Sequence, residues 1–180
     1  YDGYSNSRYV IAVAAVTDGG TYSSYSEPGA NLLVSSPSKG GTNAITTSST
    51  NNGYIDNFGG TSSATPLVSG VIALMLEANP NLTWRDVQHV LLNSSDVVDS
   101  RNSGWFTNGA GHEYSHDYGF GRINAESAVK LSKKWSNVDT EVSHLSTDKP
   151  GTSIPDEGGG ALTSKITITQ DIIMESVEIP

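Results

Sequence analysis

The sequence predicts an α/β fold in which helices flank a parallel sheet, and two observations lead to this prediction. Residues 8–16 form a nearly continuous apolar and β-branched run, which is typical of a parallel strand that is buried on both faces. Segments with strand character come first along the chain, and segments with helical character follow them. This order favours a parallel sheet with helices packed against it.

Two further strands are expected before the first helix. Residues 31–35 form a short apolar segment, and residues 42–48 follow a loop rich in Gly and Pro. The next segment, Asn51-Asn52-Gly53, has the composition of a turn. Residues 54–58 then lead into a pair of glycines.

The most apolar helix is predicted directly after those glycines. Residues 67–76 are apolar on almost every side, which predicts a helix that is buried all round. Gly59 and Gly60 permit a sharp turn, and Pro66 is expected in the first helical turn, where a missing N–H costs no hydrogen bond. The helix is therefore expected to begin at Ser62 or Ser63.

A serine at this position has two interpretations. Its hydroxyl would lie at the positive end of the helix dipole, beside free backbone N–H groups that can stabilise an oxyanion, so it could be a nucleophile. Serine and threonine are also the usual N-caps of helices, and a Gly-Thr-Ser-Ser run before a helix can be only a cap. Position alone does not decide between the two.

The surrounding residues form a longer motif. The string Gly60-Thr61-Ser62-Ser63-Ala64-Thr65-Pro66 resembles the serine motif of subtilases, Gly-Thr-Ser-x-Ala-x-Pro, and its continuation over 76–89 is similar to the kexin and furin branch, the proprotein convertases. The resemblance covers residues 1 to about 135 and implies a subtilisin-like sheet. It also implies that Ser62, and not Ser63, is the nucleophile.

Two more helices and a domain boundary complete the prediction. Thr83-x-x-Asp86 resembles a capping box that opens a helix over 84–92, and Asn124 is expected to cap a helix that ends at Lys134. The polar stretch 136–160 suggests a boundary, which gives a catalytic-domain segment over 1–138 and a second domain over 139–180. Alternating residues at 164–169 and 173–179 resemble the start of an all-β, jelly-roll-type P domain.

Composition limits the classes of partner and site. The chain has 10 Lys and Arg against 19 Asp and Glu, a net charge of −9, which argues against a nucleic-acid partner. The absence of cysteine excludes disulfides, a thiolate nucleophile and Cys-based metal sites. No apolar run approaches the ~20 residues of a membrane span. The first residue is not Met, and the chain opens within a turn, so a processed or truncated product is expected.

The resemblance also implies residues that are expected before Tyr1. Subtilisin-type enzymes order their triad as Asp, His and Ser, but all four histidines follow Ser62 in this chain; they are His89, His112, His116 and His144. The catalytic Asp and His and the oxyanion Asn are therefore expected upstream. The chain alone is expected to be inactive.

Two carboxylates have implied roles in substrate and metal binding. Asp2-Gly3-Tyr4-Ser5-Asn6-Ser7 is similar to the convertase segment whose Asp contacts the P1 Arg guanidinium. Tyr25-Ser26-Glu27 is similar to the segment whose Glu ligates calcium. Carboxylates suit both partners, although without the resemblance both residues would be interpreted as ordinary loop carboxylates.

The resulting hypothesis is a kexin-like serine endopeptidase. Its substrates would be proteins or peptides cleaved after basic residues, with paired basic sites expected, and its location would be secreted or extracytoplasmic. One alternative is a subtilase of broad specificity, in which Asp2 and Glu27 have no special role. Another is a non-catalytic fragment or pseudoprotease that acts by binding.

Overall fold

The computed structural model describes residues 3–143 and 167–169. The chain divides into two compact units, Tyr1–Val138 and Asp139–Pro180, and the following description concerns the first. Asp2, His144 and the segments expected to begin a P domain lie outside the described residues, except for 167–169.

A pair of parallel strands forms the base of the first unit. Strand β1 is Ala12–Val16 and strand β2 is Leu32–Pro37, and Val13 lies opposite Val34 in their register. Both strands begin later than the sequence suggested, but their parallel pairing is as predicted. The connection between them spans residues 17–31, which meets the length that a parallel crossover requires.

The segment around Gly121 extends the backbone pairing beyond β2. The Ser35 N–H donates to the Gly121 carbonyl oxygen over 2.8 Å, and the Ile123 N–H donates to the Ser35 carbonyl oxygen over 2.9 Å. Gly119 makes this approach possible, because its φ is 63° and a Cβ at that position would clash with the Leu33 carbonyl group. The loop before the last helix is therefore fixed to the strand pair.

Helix α1, Thr61–Ala78, packs on β1, β2 and the last helix, α3. Its buried residues Val68, Val71 and Met75 join the hydrophobic core. The prediction that this helix is buried all round is wrong: Leu67, Leu74 and Leu76 are 37%, 49% and 39% exposed. The described elements that pack on α1 cover one side of it, so its opposite apolar side faces outward.

The second helix, α2, spans Trp84–Ser94 and is two residues longer than predicted. The capping box is confirmed, since the Asp86 N–H donates to Thr83 Oγ1 and the Thr83 N–H donates to Asp86 Oδ2. Helix α3 is Ala125–Ser132 and is shorter than expected. Its predicted cap is also confirmed, because Asn124 Oδ1 accepts from the Ser127 N–H over 3.0 Å.

The Asp86 carboxylate connects α2 to the chain that follows α3. It is fully buried and accepts the Thr83 hydroxyl over 2.6 Å, Trp135 Nε1 over 2.9 Å, Asn137 Nδ2 over 3.0 Å and the Val138 N–H over 2.8 Å. Burial raises the pKa of Asp86, but the hydrogen bonds from Thr83, Val138 and Trp135 outweigh burial and hold this pKa below its usual value. The carboxylate is thus charged and well satisfied.

Two antiparallel pairs complete the unit. Strand β3, Ile45–Ser48, confirms the strand expected over 42–48, and strand β4, Tyr54–Phe58, which was not predicted, pairs with it in an antiparallel hairpin. Its turn places Asn51 and Asn52 at φ values of 59° and 57°, which Asn tolerates better than most residues. Strands β5, Phe106–Thr107, and β6, Glu113–Tyr114, form a short second pair.

Helix α1 also has the length and composition of a candidate membrane span. The core helix of a soluble protein can pass the same test, which considers length and composition alone. This feature is therefore weak evidence for a span.

Candidate active site

Ser62 is the second residue of α1, which begins at Thr61 and not at Ser62 or Ser63 as expected. Gly60 occupies the N-cap position with φ 78°, and no side chain caps the helix start. The interpretation of Ser62 or Ser63 as an N-cap is therefore wrong. Within the described part of the chain, the first-turn N–H groups of Thr61 and Ser62 have no hydrogen-bond acceptor.

The two adjacent serines lie in different environments. Ser62 is exposed, and its hydroxyl makes no hydrogen bond to any described residue. Ser63 is 1% exposed, and its Oγ lies 2.6 Å from Ser38 Oγ and 3.1 Å from the Gly60 carbonyl oxygen. Of the two serines, Ser62 is the one that combines an accessible hydroxyl with the free N–H groups of a helix start. This geometry suits a nucleophile whose developing oxyanion is bound by its own N–H.

Pro66 lies in the second turn of α1 and not in the first as predicted. Because proline has no N–H, it cannot donate to the carbonyl group four residues earlier, which belongs to Ser62. The helical hydrogen-bond ladder thus begins around Ser62 with one bond fewer than usual, while Thr65 Oγ1 still donates to the Thr61 carbonyl oxygen over 3.1 Å.

The described histidines have other neighbours than Ser62. His89 lies on α2 with its ring stacked on Trp135 at 6.4 Å, and His112 and His116 contact the rings of Phe120 and Phe106. None of these contacts involves the serine motif. The expectation that these histidines do not serve as the base remains a prediction.

Glu27 is exposed in the connection between β1 and β2. Burial raises the pKa of the Tyr22 phenol, and the nearby carboxylates of Asp117 and Glu27 raise it further. Among residues 3–143 and 167–169, no three His, Cys, Asp or Glu side chains come together to hold a metal ion. Because calcium takes six to eight oxygen ligands, Glu27 could supply one or two oxygens of a larger set that includes carbonyl groups. Asp2 lies outside the described residues.

The sequence analysis missed the polar contacts that support the serine turn. Ser38 is buried directly after β2, and its Oγ donates to the Gly60 carbonyl oxygen over 2.8 Å. The Tyr25 hydroxyl donates to Ser38 Oγ over 2.8 Å. No local pattern indicates these contacts, because 25 residues separate Ser38 from Ser63 and the motif leaves the position of Ser63 unspecified.

With this geometry established, comparison with known proteins gives the family. Residues 2–121 match the family model described as the subtilase family, which is two thirds of the chain. The chain belongs to the subtilase family. The serine motif at the start of α1 is therefore found in a subtilase.

Curated relatives confirm the resemblance of this subtilase to the kexin and furin branch. Proprotein convertase subtilisin/kexin type 6 of Homo sapiens is 43% identical over 159 residues, which cover 86% of this chain and 16% of the relative. Kexin of Saccharomyces cerevisiae is 41% identical over 142 residues, which cover 78% of this chain and 17% of the relative. The chain thus spans less than a fifth of the length of these two proteins.

Solved structures confirm the α/β subtilase fold. A serine protease of Aeromonas sobria superposes with a TM-score of 0.66 at 28% identity, covering 72% of this chain and 30% of that chain. Fervidolysin of Fervidobacterium pennivorans, a keratinolytic enzyme related to subtilisin, superposes with a TM-score of 0.55 at 23% identity, covering 70% and 20%. The second likeness concerns the fold alone.

Proposed function

We propose that this subtilase chain supplies the nucleophile of a kexin-like serine endopeptidase. The observation that carries the proposal is the contrast within one motif: Ser62 is exposed with an unbonded hydroxyl at an uncapped helix start, while Ser63 beside it is buried and hydrogen bonded. The similarity of the chain to kexin and to proprotein convertase subtilisin/kexin type 6 supports the same activity.

The proposed reaction is acyl transfer through a serine ester. Ser62 Oγ attacks the scissile carbonyl carbon while a histidine base accepts its proton, and the carbonyl oxygen becomes an oxyanion near the Ser62 N–H. The protonated base then gives its proton to the leaving amine as the C–N bond breaks. Water attacks the resulting ester in the same way and releases the second product. The histidine, its orienting Asp and the Asn of the oxyanion hole would come from outside this chain.

The proposed substrates are proteins or peptides with basic residues before the cleaved bond, including paired basic residues. Asp2 would face the P1 guanidinium, because a carboxylate matches the planar donors of arginine. Glu27 would contribute one oxygen to a calcium ion, which takes six to eight oxygen ligands in proteins. Its exposure leaves the carboxylate free to join ligands from elsewhere in the protein.

The remaining features of the proposal follow from the kexin-like assignment. Residues 139–180 would begin a β-rich P domain after the catalytic unit. The enzyme would act outside the cytoplasm, where its protein substrates are secreted or in transit. Both features rest on the resemblance and on the similarity to kexin and the convertase.

Specificity is tested in the full-length protein by replacing each of the two carboxylates, one at a time, with its amide. Asp2→Asn should lower kcat/KM for a peptide ending in P1 Arg far more than for a matched P1 Leu peptide, because loss of a desolvated charge partner costs about 2 to 5 kcal/mol. Glu27→Gln should leave the Arg to Leu ratio intact and raise the calcium concentration needed for half-maximal activity. The second variant therefore controls for a general loss of carboxylates near the substrate.

The alternative is a subtilase of broad specificity. In this alternative, Asp2 and Glu27 are ordinary loop carboxylates with no special role. If Asp2→Asn leaves the ratio of Arg to Leu cleavage unchanged, broad specificity is the better description, and the endopeptidase assignment to Ser62 still stands.

A further inference from the structure

The turn before Ser62 is contacted by buried side chains, one of which, Ser38, is distant in sequence. Ser38 Oγ lies 2.8 Å from the Gly60 carbonyl oxygen and 2.6 Å from Ser63 Oγ, and Ser63 Oγ lies 3.1 Å from the same carbonyl oxygen. Both serines are buried. One carbonyl group, two residues before the proposed nucleophile, is therefore contacted by two buried hydroxyl groups.

The loop that carries Ser38 is itself fixed to the same turn. The Tyr25 hydroxyl hydrogen bonds to Ser38 Oγ and to the Lys39 carbonyl oxygen, and Ser23 Oγ donates to that carbonyl oxygen over 3.1 Å. Lys39 packs so closely on the turn that a Cβ at Gly59 would clash with its side chain. Ser38 thus approaches Gly60 from a loop with little freedom to move away.

Counting protons shows that the two serines can replace each other. Each hydroxyl has one proton to donate, and either serine can be the donor in the contact between Ser38 and Ser63. If Ser63 donates to Ser38, then Ser38 donates to the Gly60 carbonyl oxygen; in the opposite direction, Ser63 donates to it. Because the Tyr25 hydroxyl donates to Ser38 Oγ, the Ser38 proton remains available and the carbonyl group receives a hydroxyl donor in both cases. Removal of one serine leaves the other able to donate.

The Gly60 carbonyl oxygen also accepts the Ser63 N–H over 3.1 Å, so the two hydroxyl groups add to one backbone hydrogen bond at Gly60. Its φ of 78° is in the region open mainly to glycine, and no side chain caps the helix. The Gly60 carbonyl group and the Thr61 N–H belong to one peptide unit at the start of the first turn. Rotation of that unit would therefore move the free N–H groups of Thr61 and Ser62. Small displacements of a reacting group can cost up to ~10²-fold in rate.

We propose that Ser38 and Ser63 are positioning residues that together clamp the Gly60 carbonyl group and so orient Ser62. This inference rests on the proposed role of Ser62 as the nucleophile. The clamp acts on the geometry of the attack and of the oxyanion-binding N–H, and it touches neither substrate nor base. It should therefore affect the rate of acylation and leave substrate binding nearly unchanged.

The test is a double-mutant cycle in the full-length protein, with inactivation by a fluorophosphonate as the readout. Ser38→Ala and Ser63→Ala should each lower the maximal inactivation rate by about 2- to 5-fold, because the remaining hydroxyl still holds Gly60. The double variant should lose about 30-fold or more, which exceeds the product of the single effects, since coupled residues are not additive. The half-saturating probe concentration should change by less than about twofold.

Two further variants separate positioning from general stability. Ser132→Ala removes another buried hydroxyl, which donates to the Ala128 carbonyl oxygen within α3, and it should leave the inactivation rate unchanged. Tyr25→Phe removes the outer hydroxyl from a partly exposed ring, so it should fold normally and lower the rate by about twofold. The melting temperature of every variant is measured alongside the rate.

The outcomes distinguish this inference from the proposed function. If the probe labels Ser62 in the unmodified protein but the double variant reacts as fast as Ser132→Ala, the clamp is wrong and the nucleophile stands. Single effects that multiply to give the double effect would also overturn a shared clamp. If Ser62 is not labelled in the unmodified protein, the clamp and the proposed function both fail.

Discussion

The first backbone N–H groups of every helix lack an acceptor within the helix, and the starts of α1 and α2 differ in how side chains cap them. At α2, a capping box joins Thr83 and Asp86: Thr83 Oγ1 accepts the Asp86 N–H, and Asp86 Oδ2 accepts the Thr83 N–H. At α1, the N-cap is a glycine with positive φ, no side chain caps the helix, and the N–H groups of Thr61 and Ser62 have no acceptor within the described part of the chain. The difference teaches that side chains close the start of α2, whereas the start of α1 leaves the Ser62 hydroxyl exposed and without a hydrogen bond to any described residue.

The hydroxyl groups at the two starts differ in the same way. Thr83 Oγ1 both donates to Asp86 Oδ2 and accepts from the Asp86 N–H, so its bonding capacity is largely used. Ser62 Oγ makes no hydrogen bond to a described residue. A free hydroxyl beside free N–H groups costs local stability. The hydrogen bonds of the buried Ser38 and Ser63 to the Gly60 carbonyl oxygen offset that cost.

The largest expected effect separates activity from stability at α1. Ser62→Ala in the full-length protein should abolish fluorophosphonate labelling and lower kcat by ~10⁴ or more, as for other triad members. Its melting temperature should remain within about one degree, because the Ser62 hydroxyl has no partner to lose among the described residues. Peptide hydrolysis, labelling and thermal unfolding are measured on one preparation.

Ser63→Ala is the matched control for this prediction, since it removes the neighbouring hydroxyl from the same motif. It should still be labelled at Ser62 and should retain measurable hydrolysis. Labelling that appears on Ser63 in the Ser62→Ala protein would contradict the assignment.

The opposite result is expected at α2. Asp86→Ala should destabilise the folded protein by about 3 kcal/mol, because Trp135 Nε1 and the Val138 N–H would lose a charged acceptor and remain partly buried. Activity per folded molecule should not change at low temperature. The measurement is the urea midpoint of unfolding together with active-site titration. A loss of kcat without a shift of the midpoint would link α2 to catalysis and break the comparison.

The pH dependence sharpens the role of Asp86. Hydrogen bonds hold its pKa in the folded state below the usual value of about 3.9 for Asp, so the folded state favours the charged form. The stability that this carboxylate contributes is therefore present above pH ~4 and is lost as the pH falls through the lower pKa of the folded protein.

Asp86→Asn tests this sign, because the amide does not titrate. Urea midpoints of the variant and the parent should differ most near neutral pH and converge as the pH falls below about 4. A difference that stays constant between pH 7 and pH 3 would contradict the assignment of this charge.

The smallest expected effect concerns the cap itself. Thr83→Ala removes the side chain that accepts the Asp86 N–H, and loss of an N-cap typically costs about 1 kcal/mol. Thr61→Ala is the matched control at α1, because Thr61 follows an uncapped glycine, and it should shift the urea midpoint by less. Equal shifts for the two threonines would show that the two helix starts are stabilised alike.

Local patterns predicted the parts of the fold that local contacts determine. The capping box of α2 and the Asn124 cap of α3 depend on residues three positions apart, and both were found from sequence. The motif around Ser62 likewise placed the helix start to within one or two residues. Short-range hydrogen bonding fixes each of these features, so a short segment of sequence contains the information.

Features that depend on distant contacts were missed or misjudged. The strand expected over 42–48 was found as β3, but β4 and its antiparallel pairing with β3 were missed. Exposure of Leu67 and Leu74 depends on which elements pack on α1, and composition cannot show this. The contact of Ser38 with Ser63 requires β2 and α1 to meet in space. Each case needs tertiary packing that no single segment specifies.

The anchoring of Val138 has a mechanical consequence. Its N–H is bound by Asp86 at the start of α2, and Trp135 and Asn137 are bound by the same carboxylate. Tension applied to the chain beyond Val138 would therefore be borne first at α2, and not along α3, whose last turn precedes the anchor. The residues of α3 would bear that tension only after several charge-assisted hydrogen bonds to Asp86 had broken. The Asp86 carboxylate therefore protects α3 from a pulling force that acts on the chain after Val138.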